Sequence, residues 1–148
     1  MKTRFRFITE KCAACYACMI ACMDQNDTDV ESGGVPMRTV DNREGEDNGN
    51  SRVYGVTRGC LHCEKPVCIP ACRFDCLHKD SETGMVLSDG KDCVACRNCA
   101  NACPHDAIFF GADGKIIKCD GCVERVRHGM EPACTRVCPT DALLFAAD

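Results

Sequence analysis

Sixteen of the seventeen cysteines stand in four groups of four. They are Cys12, Cys15, Cys18 and Cys22; Cys60, Cys63, Cys68 and Cys72; Cys93, Cys96, Cys99 and Cys103; and Cys119, Cys122, Cys134 and Cys138. The first and third read C-x2-C-x2-C-x3-C, a spacing that holds cubane iron–sulfur clusters. Three closely spaced thiolates wrap one face of a cubane. The fourth lies one helical turn further on and points away, toward a neighbouring cluster. At four thiolates each, sixteen make four [4Fe–4S] clusters in 148 residues. Thiolates that fill every coordination position leave a cluster able to change its electron count but not to bind substrate. The expected chemistry is an electron relay, with no catalytic residue of its own.

The elements that position these groups are short. Phe5 and Phe7, alternating with Arg4 and Arg6, predict a strand leading into the first motif. Met85–Leu87 and Ile116–Ile117 hold the same place before the third and fourth. Pro104-His105-Asp106-Ala107-Ile108-Phe109 and Pro139-Thr140-Asp141-Ala142-Leu143-Leu144 match nearly residue for residue after those motifs. The sequence therefore repeats a unit of strand, cysteine loop, short helix and strand. Pro after the last cysteine suits the end of that helix, because Pro has no amide to continue it. Residues 24–58 break the pattern. Gly33-Gly34 and the polar run 41–50 predict an exposed loop, after which Val53, Tyr54 and Val56 return as a strand into the second motif.

Composition agrees with a metal-built interior. Aromatic residues make up 5 %, Trp is absent, and much of the 45 % hydrophobic share is cysteine. Clusters are expected to act as folding staples. The formal charge of −4 counts cysteines as neutral; thiolates with their iron cores bring the holo charge to about −12. Lys65, Arg73, Arg97, Lys118, Arg125, Arg127 and Arg136 lie close enough to the motifs to offset part of it. No basic run suggests nucleic acid. No stretch is apolar enough to cross a membrane, and residues 1–10 lack a secretion signal. The expected location is the cytoplasm, where clustered cysteines mean metal; export with a signal-bearing partner stays open. Gly59, Gly111, Gly114 and Gly121 beside the motifs are turn residues or points of close amide approach. His62 and His105 are potential hydrogen-bond donors to a cluster or a packing neighbour, while His78 and His128 read as surface groups.

The four-motif order, the stretch Cys60-Leu61-His62-Cys63-Glu64-Lys65-Pro66-Val67-Cys68 and the wide gap from Cys122 to Cys134 resemble the iron–sulfur (electron-transfer, beta) subunit of the dimethyl sulfoxide reductase and formate dehydrogenase group of molybdopterin oxidoreductases. The resemblance runs from about residue 3 to 146, apart from the loop near 40–50. It implies an α+β fold of tandem two-cluster ferredoxin-like halves, with short strands and helices around four [4Fe–4S] clusters. Residues 1–22 plus 111–148 would form the outer half and 53–110 the inner half, with 23–52 a largely polar loop insertion. It also implies an exchange of ligands: Cys12, Cys15, Cys18 with Cys138; Cys22 with Cys119, Cys122, Cys134; Cys60, Cys63, Cys68 with Cys103; and Cys72 with Cys93, Cys96, Cys99. The implied partner is a large catalytic subunit carrying molybdopterin with molybdenum or tungsten, in anaerobic metabolism, and a membrane anchor or soluble carrier would exchange electrons at the other end. Two features depart from the family. Arg73 replaces the usual Pro after Cys72, followed by the seventeenth cysteine, Cys76, read as a small buried hydrophobe. Only ten residues follow Cys138, which lowers the expectation of a membrane complex.

Three other readings compete. A polyferredoxin, or a relay for a hydrogenase or hydrogenase-linked formate dehydrogenase, would use the same internal chemistry. A zinc module needs separated cysteine pairs, whereas two groups here pack four cysteines into eleven residues. A disulfide-rich secreted domain conflicts with the odd cysteine count.

Overall fold

The computed structural model describes residues 4–146. Its elements are brief because each cysteine loop must return the chain to the same place within a few residues. The first unit is β1 (Phe5–Phe7), a single 3-10 turn at Thr9–Lys11, the first cysteine loop and α1 (Ala17–Gln25). A hairpin of β2 (Arg38–Asp47) and β3 (Asn50–Gly59) leads to the second cysteine loop and α2 (Cys68–Ala71). Next come β4 (Leu77–Lys79), β5 (Val86–Ser88), the third loop, α3 (Asn98–Ala102) and β6 (Ile108–Phe110). The last unit comprises β7 (Ile116–Lys118), α4 (Val123–Arg127), α5 (Ala133–Arg136) and β8 (Leu143–Phe145). Among the described residues no helix is long and apolar enough to cross a membrane.

Four antiparallel strand pairs tie these units together. β1 pairs with β8, Phe5 opposite Phe145, so the first and last strands meet. β4 pairs with β5 and β6 with β7. The boundary anticipated at 110/111 therefore falls at the turn of the β6–β7 hairpin, which joins the strand after the third motif to the strand before the fourth. Residues 1–3 and 147–148 of the anticipated outer half lie outside the described residues.

The segment 23–52 is not a loop throughout, as its composition suggested. It contains the end of α1 and all of β2, which pairs residue for residue with β3 from Arg38 opposite Gly59 to Asp47 opposite Asn50. The turn is Asn48-Gly49, both with positive φ. Two such residues give a connection whose twist matches the strands, and Asn-Gly favours it strongly. The outer half of the hairpin is exposed and polar, which is why it reads as loop. Its inner half carries buried Arg38 and Val40. At Gly55 a Cβ would lie 2.8 Å from Cys12 Sγ and 3.0 Å from Ala14 Cα. The hairpin thus lies directly on the first cysteine loop. A Gly55→Ala variant is expected to displace that loop and reduce iron content, as measured by iron assay after anaerobic purification.

The buried residues form two small clusters. One holds Leu77, Val86 and Ile108 with Cys68 and Cys99. The other holds Phe5, Met85 and Leu143 with Cys134. Met85 and Val86 are neighbours, and extended backbone sends successive side chains to opposite sides. One dipeptide therefore enters both cores and links the inner motifs to the first and last strands.

Candidate metal centres

Each cysteine loop bends by the same device. Ala14, His62, Ala95 and Gly121, the residues just before the second cysteine of each motif, all have positive φ, between +51° and +73°. In the first and third motifs Tyr16 and Arg97, just after that cysteine, repeat it at +61° and +63°. Left-handed turns in a loop direct backbone amides into a concavity suited to anionic groups and found at iron–sulfur sites. The amides of His62 and Gly121 donate to Cys60 Sγ and Cys119 Sγ at 3.4 and 3.3 Å.

The repeat continues beyond the fourth cysteine. Asp75, Asp106 and Asp141, each three residues past Cys72, Cys103 and Cys138, have φ of +48° to +51°. The second motif thus follows the third and fourth despite Arg73. Cys76 then occupies the position of Ala107 and Ala142, and all three are buried, Cys76 at 3 % exposure. Its thiol donates to the Phe74 carbonyl at 3.5 Å, as a small buried residue would. Since alanine already serves at both sibling positions, Cys76→Ala is expected to cost only about 1 kcal/mol and to leave the iron content unchanged, readable by melting and iron assay.

Three small pockets of one kind lie behind these loops. One is lined by Cys12, Cys15, Cys18 and Cys138. A second is lined by Cys60, Cys63, Cys68 and Cys103. A third is lined by Cys72, Cys93, Cys96 and Cys99, with Cys76 beside them. In each, three cysteines come from one motif and the fourth from another. Phe74, His105 and Thr140, two residues past the fourth cysteine, line the corresponding cavities.

The remaining four cysteines, Cys22, Cys119, Cys122 and Cys134, are all buried. α1, which carries Cys22, packs against α5, which carries Cys134. Burial pushes the Cys22 thiol up to about 11, and the nearby Cys134 and Cys122 add to it. Asn26 Nδ2 donates to the Cys22 carbonyl at 2.7 Å and reaches Cys22 Sγ at 3.7 Å. Twelve cysteines thus line three pockets, four to each, and Cys22, Cys122 and Cys134 lie near one another. Among the described residues, no three His, Cys, Asp or Glu side chains converge on the position of a single ion.

The surroundings are uneven. Burial raises the Cys68 thiol to about 11, with Lys118 opposing. At Cys138 burial also pulls upward, but the amides of Leu143, Thr140 and Ala142 outweigh it and hold the thiol below its ordinary value. Of the basic residues expected near the motifs, only Lys118 is buried; Lys65, Arg73, Arg97, Arg127 and Arg136 are exposed and Arg125 is half-buried. His62 is 1 % exposed and held well below the usual histidine range by burial, with Lys118 and Arg38 adding. Its Nδ1 accepts from the Val86 amide at 3.0 Å, so the ring proton sits on Nε2. Arg38, fully buried, went unnoticed in the sequence; only strand register brings it inside.

The 4Fe-4S dicluster domain family matches residues 52–148. The protein belongs to this family. It is 37 % identical over 145 residues to one chain of the anaerobic dimethyl sulfoxide reductase of Shigella flexneri, a match that covers 90 % of this protein and 69 % of the relative. One subunit of the tetrathionate reductase of Salmonella typhimurium is 35 % identical over 127 residues, 84 % of this protein and 49 % of its own length. The beta subunit of the chlorate reductase of Ideonella dechloratans is 38 % identical over 97 residues, 65 % and 29 %. The iron–sulfur chemistry, the ferredoxin-type mixture of short helices and strands and the electron-transfer role expected from the cysteines therefore stand. The hydrogenase relay is not favoured.

Proposed function

We propose that the four thiol sets each hold one [4Fe–4S] cluster, with ligands exchanged between motifs one and four and between motifs two and three, and that the protein relays electrons to or from a molybdopterin-containing catalytic subunit. The observation that supports this most directly is the recurrence of three similar cavities, each lined by three cysteines of one motif and one of another. The relatives named above are parts of reductases, which supports a separate catalytic partner. A cubane supplies one-electron exchange without bond making. The protein's own residues hold it, direct amides at its sulfurs and screen it from water, so electron transfer needs little rearrangement. A membrane anchor or a soluble carrier would receive or deliver the electron at the far end.

Anaerobic purification should yield brown protein with about sixteen irons and as many labile sulfides per chain, accompanied by a large molybdopterin-containing subunit. Colourless protein without sulfide would defeat the cluster assignment. A full complement of clusters with a hydrogenase-type partner would defeat the choice of partner alone.

A further inference from the structure

Two cations are buried among the thiols. Arg38 is 1 % exposed and Lys118 is 7 % exposed. Among the described residues neither forms an ion pair with a carboxylate. A charge taken out of water needs an opposite charge or a full set of hydrogen bonds. Arg38 Nη1 donates to Thr57 Oγ1 at 3.2 Å, and that hydroxyl lies 3.9 Å from Cys18 Sγ. Arg38 Nη2 is buried without a partner. The opposite strand leaves room for the guanidinium: a Cβ on Gly59 would stand 2.9 Å from Arg38 Cζ. Burial opposes the Arg38 charge, while the thiols of Cys134, Cys119, Cys18 and Cys22 favour it. These cysteines belong to two sets, that of Cys138 and that of Cys122.

Lys118 is placed similarly, one interval further along. Its ammonium donates to the carbonyls of Val86 and Cys119. Its side chain lines the cavity of Cys60, Cys63, Cys68 and Cys103. It opposes the burial-driven rise of the Cys63 and Cys68 thiols and that of Cys119 in the neighbouring set. Neither Arg38 nor Lys118 lies at the set of Cys72, Cys93, Cys96 and Cys99, where the half-buried Lys115 ammonium donates to the Cys93 carbonyl at 3.5 Å. Arg97 beside it is exposed, lying over the Phe110 ring at 5.1 Å.

We propose that Arg38 and Lys118 set reduction potentials, each being shared by two cluster sites: the site of Cys22, Cys119, Cys122 and Cys134 feels both cations, and the site of Cys72, Cys93, Cys96 and Cys99 feels neither. This rests on the cluster assignment above. Reduction of one site adds a single electron, taken from the neighbouring site or the partner, which is oxidised by the same amount. No bond forms or breaks and no proton moves. The added negative charge is stabilised by a fixed cation in a low-dielectric interior, so the cation raises the potential. Arg38 and Lys118 are positioning residues in this sense, acting on the electron without binding iron.

The test is an anaerobic redox titration followed by electron paramagnetic resonance, on the full chain with any subunit that purifies with it. Arg38→Gln should lower two potentials, and Lys118→Met should lower two, with one cluster common to both pairs. The cluster whose signal is lost in Cys96→Ser should move in neither. Each shift should reach about tenfold in the reduction equilibrium, or 59 mV for one electron. Arg38→Lys, which keeps the charge, should retain most of the original potential. If Arg38→Gln loses clusters outright, Gly59→Ala serves instead, since it displaces the guanidinium and should move the same two potentials alone. Unmoved potentials, equal shifts at all four sites, or an Arg38→Lys variant as low as Arg38→Gln would overturn the proposal. An unaltered protein well short of sixteen irons would defeat the cluster assignment and this proposal together; a full complement with unmoved potentials would defeat this proposal alone.

Discussion

Stripping iron from the protein with a chelator is expected to unfold it, leaving no native-like shell. Among the described residues, seven of the seventeen buried hydrophobic side chains are cysteines, six of them from the four motifs. Apart from β2 and β3, every strand is three residues long, and four of the five helices have five residues or fewer. Helices of that length do not persist alone, and an isolated two-stranded pair is marginal in water. The aliphatic clusters are built around Phe5, Met85, Val86, Leu77, Ile108 and Leu143, a small core to set against the entropy of 148 residues. Metal binding must supply the difference. In zinc-finger peptides a single structural ion contributes about 10–16 kcal/mol, and the four clusters proposed here would hold every cysteine loop. Without them Arg38 and Lys118 also lose the negative groups that make their burial tolerable. Far-ultraviolet circular dichroism should show loss of ordered structure on chelation, and limited proteolysis should cut throughout the chain. A chelated protein that still melts cooperatively near the holo temperature would show that aliphatic packing suffices.

Much of this arrangement was legible because the cysteines and the apolar residues flanking them follow one local pattern. β1, β6, β7 and β8 lie where alternation and the Pro-x-Asp-Ala repeat placed them. β4 escaped because Arg73 stands where Pro would have announced the third copy of that repeat. Asp75 keeps the positive φ of Asp106 and Asp141, so the backbone preserves what the side chain conceals. β2 escaped for a different reason. Residues 41–50 are polar because the hairpin's outer half faces solvent, and hydrophobic alternation cannot report the part of a strand that has no buried face. The Asn48-Gly49 turn was the available signal. The buried cations were the least accessible feature. Arg38 is inside because its register partner is Gly59 and because thiol sets from distant segments meet around it, and neither fact exists at the level of neighbouring residues.

The exchange of ligands makes the sharpest demand on the assignment, because it ties residues more than a hundred positions apart. Cys15 and Cys138 line one cavity, whereas Cys134, only four residues before Cys138, lies buried with Cys22 and Cys122. Replacing Cys15 by alanine should remove one cluster, about four irons. Cys138→Ala should remove the same one, so the double variant should hold about twelve irons, no fewer than either single variant. Cys15→Ala with Cys134→Ala should instead remove two clusters and leave about eight. The contrast survives partial loss of stability, because both doubles carry two lost thiols in the same outer motifs and differ only in whether those thiols share a cluster. Iron and sulfide assays count the clusters, and electron paramagnetic resonance of the reduced proteins identifies which signals disappear. Equal iron loss in the two doubles would mean that proximity in sequence, and not the meeting of the first and fourth motifs, determines which thiols act together.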